Sequence, residues 1–275
     1  MSALLRFPDF KFKAFTMSYD DGTLTDKRLI EIMVKNGIVG TFNLCSDRFK
    51  TGAFPNEEDI KEVYLANGME VAVHGERHCS LAAIDKAVAL SDVLLCRRDL
   101  ERVTGKIIKG MAYANGSIND DVIEMVRLSG IEWARNSGST ESLTLPQNLL
   151  NFSATAHHNN GKLFDLVDKL LDEPISGYYW SRGPRLMIVW GHSIEFNRND
   201  NWERAEQLCE KVGGREDVWY ATLGDIFDYV LDFKKLRFSA DGTLIHNPTA
   251  RTLYMYDFGK NIKLEPGETV DTKTL

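Results

Sequence analysis

Apolar runs with the look of buried strands recur along the chain, and three of them end in polar clusters. Ala14-Phe15-Thr16-Met17-Ser18 runs into Tyr19-Asp20-Asp21-Gly22. Met69-Glu70-Val71-Ala72-Val73 runs into His74-Gly75-Glu76-Arg77-His78, and Leu186-Met187-Ile188-Val189 into Trp190-Gly191-His192. Helical spacing fills the gaps. Residues 25–36 carry Leu29, Ile30, Ile32, Met33 and Val34 before Gly37, and 57–67 form a second amphipathic stretch closed by Gly68. The longest pattern is 84–104, with Val88, Leu90, Val93, Leu94, Leu95, Leu100 and Val103 on one side and Gly105 as a stop. Further helices are expected at 122–129, 162–171, 202–212 and 223–233, and further strands at 39–44, 107–113, 131–135 and 218–222. Alternating strands and helices predict a parallel sheet with right-handed crossovers, in which chemistry gathers at the strand ends. Residues 136–160 read as a polar active-site loop region, with little periodicity.

From about Leu236 the pattern changes. Turn signals at Asp241-Gly242, Asn247-Pro248, Gly259-Lys260 and Pro266-Gly267 separate short β-prone pieces such as Thr252-Leu253-Tyr254-Met255-Tyr256. Two domains are therefore expected: an α/β barrel over 1–235 and a small β-rich appendage over 236–275. The appendage reads as a subunit contact of a homo-oligomer or as a pocket wall, and the sequence leaves both open.

At 275 residues, 43% apolar and 27% charged, the chain suits a single α/β barrel of ordinary composition. A net charge of −7 argues against nucleic acid or an anionic membrane surface as the main partner. Cys45, Cys79, Cys96 and Cys209 are scattered without a C-x-x-C pair and read as free thiols, Cys79 being a small buried filler or an extra ligand beside His78. Met1-Ser2-Ala3-Leu4-Leu5-Arg6 lacks an apolar signal core, and no run approaches membrane-spanning length, so a cytoplasmic protein is expected.

The polar clusters carry the candidate chemistry. Two imidazoles four residues apart, His74 and His78, share one side of a helical turn and can reach one ion. That spacing alone is common by chance. Two adjacent carboxylates, Asp20 and Asp21, are costly at the end of a buried strand unless paired or bound to a cation. With His192 closing a third strand, the coincidence is much rarer than any one cluster. The pair His157-His158 lies in a polar segment, and one of the two is expected near the pocket. Tyr113, Trp180 and Trp190 have the shape to stack on a sugar ring, although aromatics beside barrel strands are more often core.

The order Ser18-Tyr19-Asp20-Asp21-Gly22, His74 to His78, Ala112-Tyr113-Ala114-Asn115-Gly116, and Val189-Trp190-Gly191-His192 resembles the polysaccharide deacetylases with the NodB homology domain, the carbohydrate esterase family 4 type. The resemblance runs over about residues 14–230 as ordered islands. It implies a distorted (β/α) barrel holding one divalent metal, usually Zn²⁺, with Co²⁺, Ni²⁺ or Fe²⁺ as alternatives. By position it makes Asp21, His74 and His78 the metal ligands, Asp20 the general base and His192 the general acid. The metal and a loop N–H near Tyr113 would hold the oxyanion. Two imidazoles and a carboxylate also suit Zn²⁺ on chemical grounds. The chain departs from the pattern in two places. Ala112 stands where the family carries an Arg that steers the catalytic Asp, and Arg135 at the next strand end is the candidate replacement. The family's Asp-bearing island that orients the acid His has no clear counterpart, and Glu195 either replaces it or faces solvent. Tyr113, Asn115, Arg135, His158 and Glu195 complete the expected substrate-binding set. The implied function is hydrolysis of an amide C–N bond in an N-acetylated saccharide. The alternatives are a small non-sugar amide or cyclic imide as substrate, or a saccharide-binding relative without catalysis.

Overall fold

The structure, a computed structural model, describes residues 3–52, 54–172, 183–257 and 259–274. Its centre is β2 (Lys13–Asp21), whose first eight residues are all buried, as a strand flanked on both faces must be. Around it lie β3 (Gly40–Leu44), β4 (Glu70–Val73), β5 (Gly110–Ala112), β6 (Trp133–Ser139), β7 (Phe152–Ala154), β8 (Ala156–His157), β9 (Arg185–Gly191) and β10 (Val218–Tyr220). Every pairing in this sheet is parallel, in the order β7-β6-β5-β4-β3-β2-β9-β8, with β10 beside the start of β2. β7 and β8 are one residue apart, yet β7 pairs with β6 and β8 with β9. That single run of chain passes from one outer strand to the other, and the parallel sheet with its helices fits the expected distorted (β/α) barrel.

The connections are helical. α1 (Asp26–Lys35) buries Leu29, Ile30 and Met33. α2 (Ser46–Lys50) is short, and α3 (Glu57–Asp59) continues through a widened π-helical turn over Ile60–Tyr64. α4 (Lys86–Thr104) starts where the Asp85 carboxylate accepts the Ala87 and Val88 amides, and stops at Gly105 with φ +67. α5 (Asp120–Leu128) is capped by Asn119, whose side chain accepts the Val122 amide. α6 (Leu163–Asp172), α7 (Ile194–Arg198), α8 (Trp202–Val212) and α9 (Leu223–Phe233) complete the outer layer. The strand read at 107–113 is confined to Gly110–Ala112. Residues 136–160 are more ordered than their sequence suggests, because β6 runs on to Ser139 and strands of two or three residues are too short to show alternation.

After Leu236 the chain forms β11 (Arg237–Phe238), β12 (Leu244–His246), β13 (Leu253–Asp257), β14 (Lys260–Leu264) and β15 (Thr269–Asp271). One antiparallel sheet is β11-β12-β15; the other is β13 and β14 joined by β1 (Leu4–Arg6) from the N-terminus. Leu253, Met255, Ile262 and Leu264 share a hydrophobic core with Ile226, Phe227 and Val230 of α9. The Tyr229 hydroxyl clamps the join, donating to the Arg6 carbonyl at 2.7 Å and accepting the Tyr254 amide at 2.8 Å. All four cysteines are free thiols. Among the described residues no helix is long and apolar enough to cross a membrane.

Candidate functional site

Strand register delivers the first half of the site. Asp20 is opposite Asn43 on β3, and Tyr19 is opposite Gly191 on β9. Ser18 and Asp20, two residues apart, point to the same face of β2, the barrel interior. Arg135 on β6 is the register partner of Ala112 on β5. From there its guanidinium crosses the interior: Nη2 donates to Asp20 Oδ1 in a close contact, Nε to Ser18 Oγ at 3.1 Å, and Nη1 to the Asn136 carbonyl at 3.0 Å. Asn43 Nδ2 donates to the same Asp20 oxygen at 2.8 Å. Asp20 and Arg135 are 4% and 1% exposed, so the pair is buried and the charges compensate each other. Burial alone would push the Asp20 carboxyl up; the Arg135 guanidinium holds it below the usual carboxylate range. The place left by Ala112 is thus filled from the neighbouring strand.

Adjacent strand residues point to opposite faces, but at Asp21 the chain leaves the strand conformation with φ +81. The Asp21 carboxylate comes to 3.7 Å from His74 Nε2 and 3.3 Å from His78 Nε2. His74 and His78 do not share a helical turn. Gly75 (φ +85) and His78 (φ +59) fold the segment into a tight loop, with the two rings 4.8 Å apart. His74 is buried, and burial pushes its imidazole below the usual value, toward the neutral form. Its Nδ1–H donates to the Ala112 carbonyl at 2.9 Å, which leaves the Nε2 lone pair facing Asp21. Asp21 Oδ1 is buried with no hydrogen-bond partner among the described residues. Three donor atoms within 4.8 Å of one another, one of them an orphaned carboxylate oxygen, fit a divalent cation. Cys79 is not part of this group.

The second half stands on β9 and the turn after it. His192 Nδ1 donates to Glu195 Oε1 at 3.1 Å. The other oxygen, Oε2, lies 3.1 Å from His157 Nε2 and 3.0 Å from His158 Nε2. Glu195 therefore faces three histidines, not open solvent. Both halves line one cavity of about 440 Å³, which also takes in Tyr113, Asn115 and Trp190. A smaller cavity, about 280 Å³, lies at the opposite ends of the strands around Glu70, Lys109 and Asp228.

Several expected substrate contacts sit elsewhere. Arg135 is behind Asp20, and His158, 1% exposed, is behind Glu195. His158 stacks between Tyr19 and Phe196, with its Nδ1 3.1 Å from the Tyr19 hydroxyl; burial pushes its imidazole down to about 2, so it is neutral. This packing needs Gly191, where a Cβ would come 2.2 Å from the His158 ring. The Tyr113 hydroxyl donates to the Leu150 carbonyl at 2.7 Å, and its amide to the Arg135 carbonyl at 2.9 Å, so that N–H is not free for an oxyanion. Asn115 is exposed and donates to Ser80 Oγ at 3.0 Å. Trp190 borders the cavity, donates to Ser139 Oγ at 3.1 Å and carries the Arg135 guanidinium 4.8 Å above its ring. Trp180 lies outside the described residues. Asn43 and Ser18, which also hold Asp20 and Arg135, carry no signal of that role in the sequence beyond a polar side chain within a largely apolar strand.

Residues 8–134 match the family model described as polysaccharide deacetylase. Comparison with curated proteins gives no matching sequence. Solved structures share the fold. The peptidoglycan deacetylase PdaC of Bacillus subtilis is 16% identical with a TM-score of 0.53, over 81% of this chain and 93% of that one. A Mycobacterium smegmatis chain assigned to the polysaccharide deacetylases is 17% identical with a TM-score of 0.60, over 84% and 94%. The Xyl-CE4 domain of a multidomain xylanase from the hindgut metagenome of Trinervitermes trinervoides is 13% identical with a TM-score of 0.55, over 78% and 90%. Residues 8–134 thus resemble the polysaccharide deacetylases, and the islands of that resemblance stand in order on a fold these solved structures share.

Proposed function

We propose that the chain is a metal-dependent hydrolase that removes the acetyl group from an N-acetylated saccharide. The observation that supports this most is the buried Asp20–Arg135 pair beside the Asp21–His74–His78 group, across one cavity from His192 and Glu195. It also weakens the reading of a non-catalytic relative, which leaned on the missing Arg at Ala112.

Asp21, His74 and His78 would hold the ion, and their nitrogen and oxygen donors suit Zn²⁺. Such an ion, when bound, supplies an acidified water and polarises an acyl carbonyl. The protein does the rest. Asp20, kept ionised by Arg135, borders the cavity and uses Oδ1 for both Arg135 and Asn43; it takes the proton of the attacking water. His192, turned by Glu195 so that Nε2 is its remaining proton-bearing atom, protonates the departing nitrogen, without which an amine leaves poorly. The Trp190 ring, held by Ser139 and Arg135, gives the sugar an apolar wall.

The test is acetate release from an N-acetylated oligosaccharide together with metal content, for the natural protein, Asp20→Asn and His78→Ala. Asp20→Asn is expected to keep the metal and lose turnover, and His78→Ala to lose both. Turnover surviving in both variants would reject the mechanism.

A further inference from the structure

Beside the Asp21 group the described residues contain a second set of side chains whose ligand atoms all lie within 4.8 Å of one another: His157, His158 and Glu195. Around one ion at zinc-ligand lengths of about 2.0–2.2 Å, tetrahedral donors stand roughly 3.3 Å apart. Here Glu195 Oε2 is 3.1 Å from His157 Nε2 and 3.0 Å from His158 Nε2. Despite that closeness, His158 Nε2 and Glu195 Oε2 are both buried and without a hydrogen-bond partner among the described residues. A buried imidazole nitrogen and a buried carboxylate oxygen left unpaired are costly, and a shared cation would relieve both.

The surroundings fit the same reading. His158 is 1% exposed and locked by its stacking on Tyr19 and Phe196. The Tyr19 hydroxyl, 3.1 Å from Nδ1, can accept the Nδ1 proton and leave the Nε2 lone pair for an ion, as the Ala112 carbonyl does for His74. His157 is the adaptable member. Its Nδ1 accepts the Asn159 amide at 3.1 Å, in an exposed loop where that amide can turn to water when the imidazole proton moves to Nδ1. Glu195 would use Oε2 for the ion and keep Oε1 for His192.

We propose that His157, His158 and Glu195 form a second divalent-cation site, for a borderline-soft ion of the Zn²⁺ class, adjoining the acid side of the cavity. The inference goes beyond the proposed function, since the donors of the two sites are separate.

The experiment counts Zn²⁺ per chain by elemental analysis after metal stripping, refilling and dialysis, and follows refilling by titration calorimetry. The natural protein is expected to take two ions in two affinity classes. His157→Ala, His78→Ala and the near-isosteric Glu195→Gln should each take one, and His78→Ala/His157→Ala none. Circular dichroism identifies any variant that fails to fold, and His157→Ala, at a half-buried position, and Glu195→Gln provide independent routes to the same loss. One ion in the natural protein, unchanged by His157→Ala and Glu195→Gln, overturns the second site. Loss of an ion in those two variants with none lost in His78→Ala would instead uphold it and reject the first.

Discussion

Two carboxylates at opposite ends of the sheet are treated in opposite ways. Glu70, at the start of β4, accepts Thr41 Oγ1 at 2.7 Å and the Gly224 amide at 2.9 Å, where α9 begins directly above it. A Cβ on residue 224 would stand 2.1 Å from Glu70 Oε1 and would push the carboxylate out of this position. Burial pushes the Glu70 carboxyl up to about 7 in spite of those bonds. Asp20, at the far end of β2, is given a guanidinium and stays charged. Hydrogen bonds alone make a carboxylate into a clasp between elements; a buried guanidinium keeps it ionised in a dry place. The barrel is thus fastened at one end and, under the proposed function, reactive at the other.

The sharpest way to break this contrast is to remove the charge at the reactive end. Asp20→Asn keeps shape and some hydrogen bonds but cannot take a proton, and a loss of about 10³-fold in kcat is expected, within the range for a positioned base. Acetate release at saturating substrate measures it, and a kcat within tenfold of the natural protein would remove Asp20 from the reaction. Next comes its partner. Arg135→Met leaves a buried carboxylate uncompensated, at a cost of about 3–5 kcal/mol. A clear fall in the chemical-denaturation midpoint should accompany the loss of turnover. Arg135→Met/Asp20→Asn, which removes both charges, should recover much of that stability and none of the activity. If the double variant is as unstable as the single one, the pair is packing, not charge compensation.

The acid side is expected to respond less. Glu195→Gln retains an acceptor for His192 but not a negative charge, and should lower kcat by about 10²-fold with little change in KM. An unchanged kcat would return Glu195 to the loop carboxylate that its sequence position also allowed.

How much of this was readable beforehand follows from where the information lies. Asp20, Asp21, His74, His78 and His192 each end an apolar run, so local pattern exposed them. Arg135 was the expected stand-in for the Arg missing at Ala112, but its contact with Asp20 depends on β5 and β6 pairing with Ala112 beside Arg135, a register that no window of sequence contains. Glu195 and His157-His158 belong to separate short segments brought together by the β8–β9 pairing, and His158 was expected in the pocket because nothing local distinguishes a ligand-facing imidazole from one behind it. The pairing of β1 with β13 joins residues some 250 positions apart and was equally invisible.

The smallest effect belongs to the fastened end, and its sign separates the two ends. The folded-state Glu70 carboxyl, at about 7 against an ordinary 4.5, holds its proton more tightly than the unfolded chain does. Its contribution to stability is therefore complete below about pH 4.5 and is lost as pH rises through about 7. Glu70→Gln removes that proton equilibrium while leaving an amide oxygen for Thr41 and the Gly224 amide. Between pH 5 and pH 8 the Tm of the natural protein should fall further than that of the variant, by about 4–8 °C, the shift that roughly 2 kcal/mol makes in a chain of this size. At a fixed pH the variant's acetate release should match that of the natural protein, since Glu70 is at the opposite end of the strands from the cavity holding Asp20 and His192. Parallel Tm curves would mean that Glu70 does not change its protonation on folding, and the contrast between the two ends would then rest on Arg135 alone.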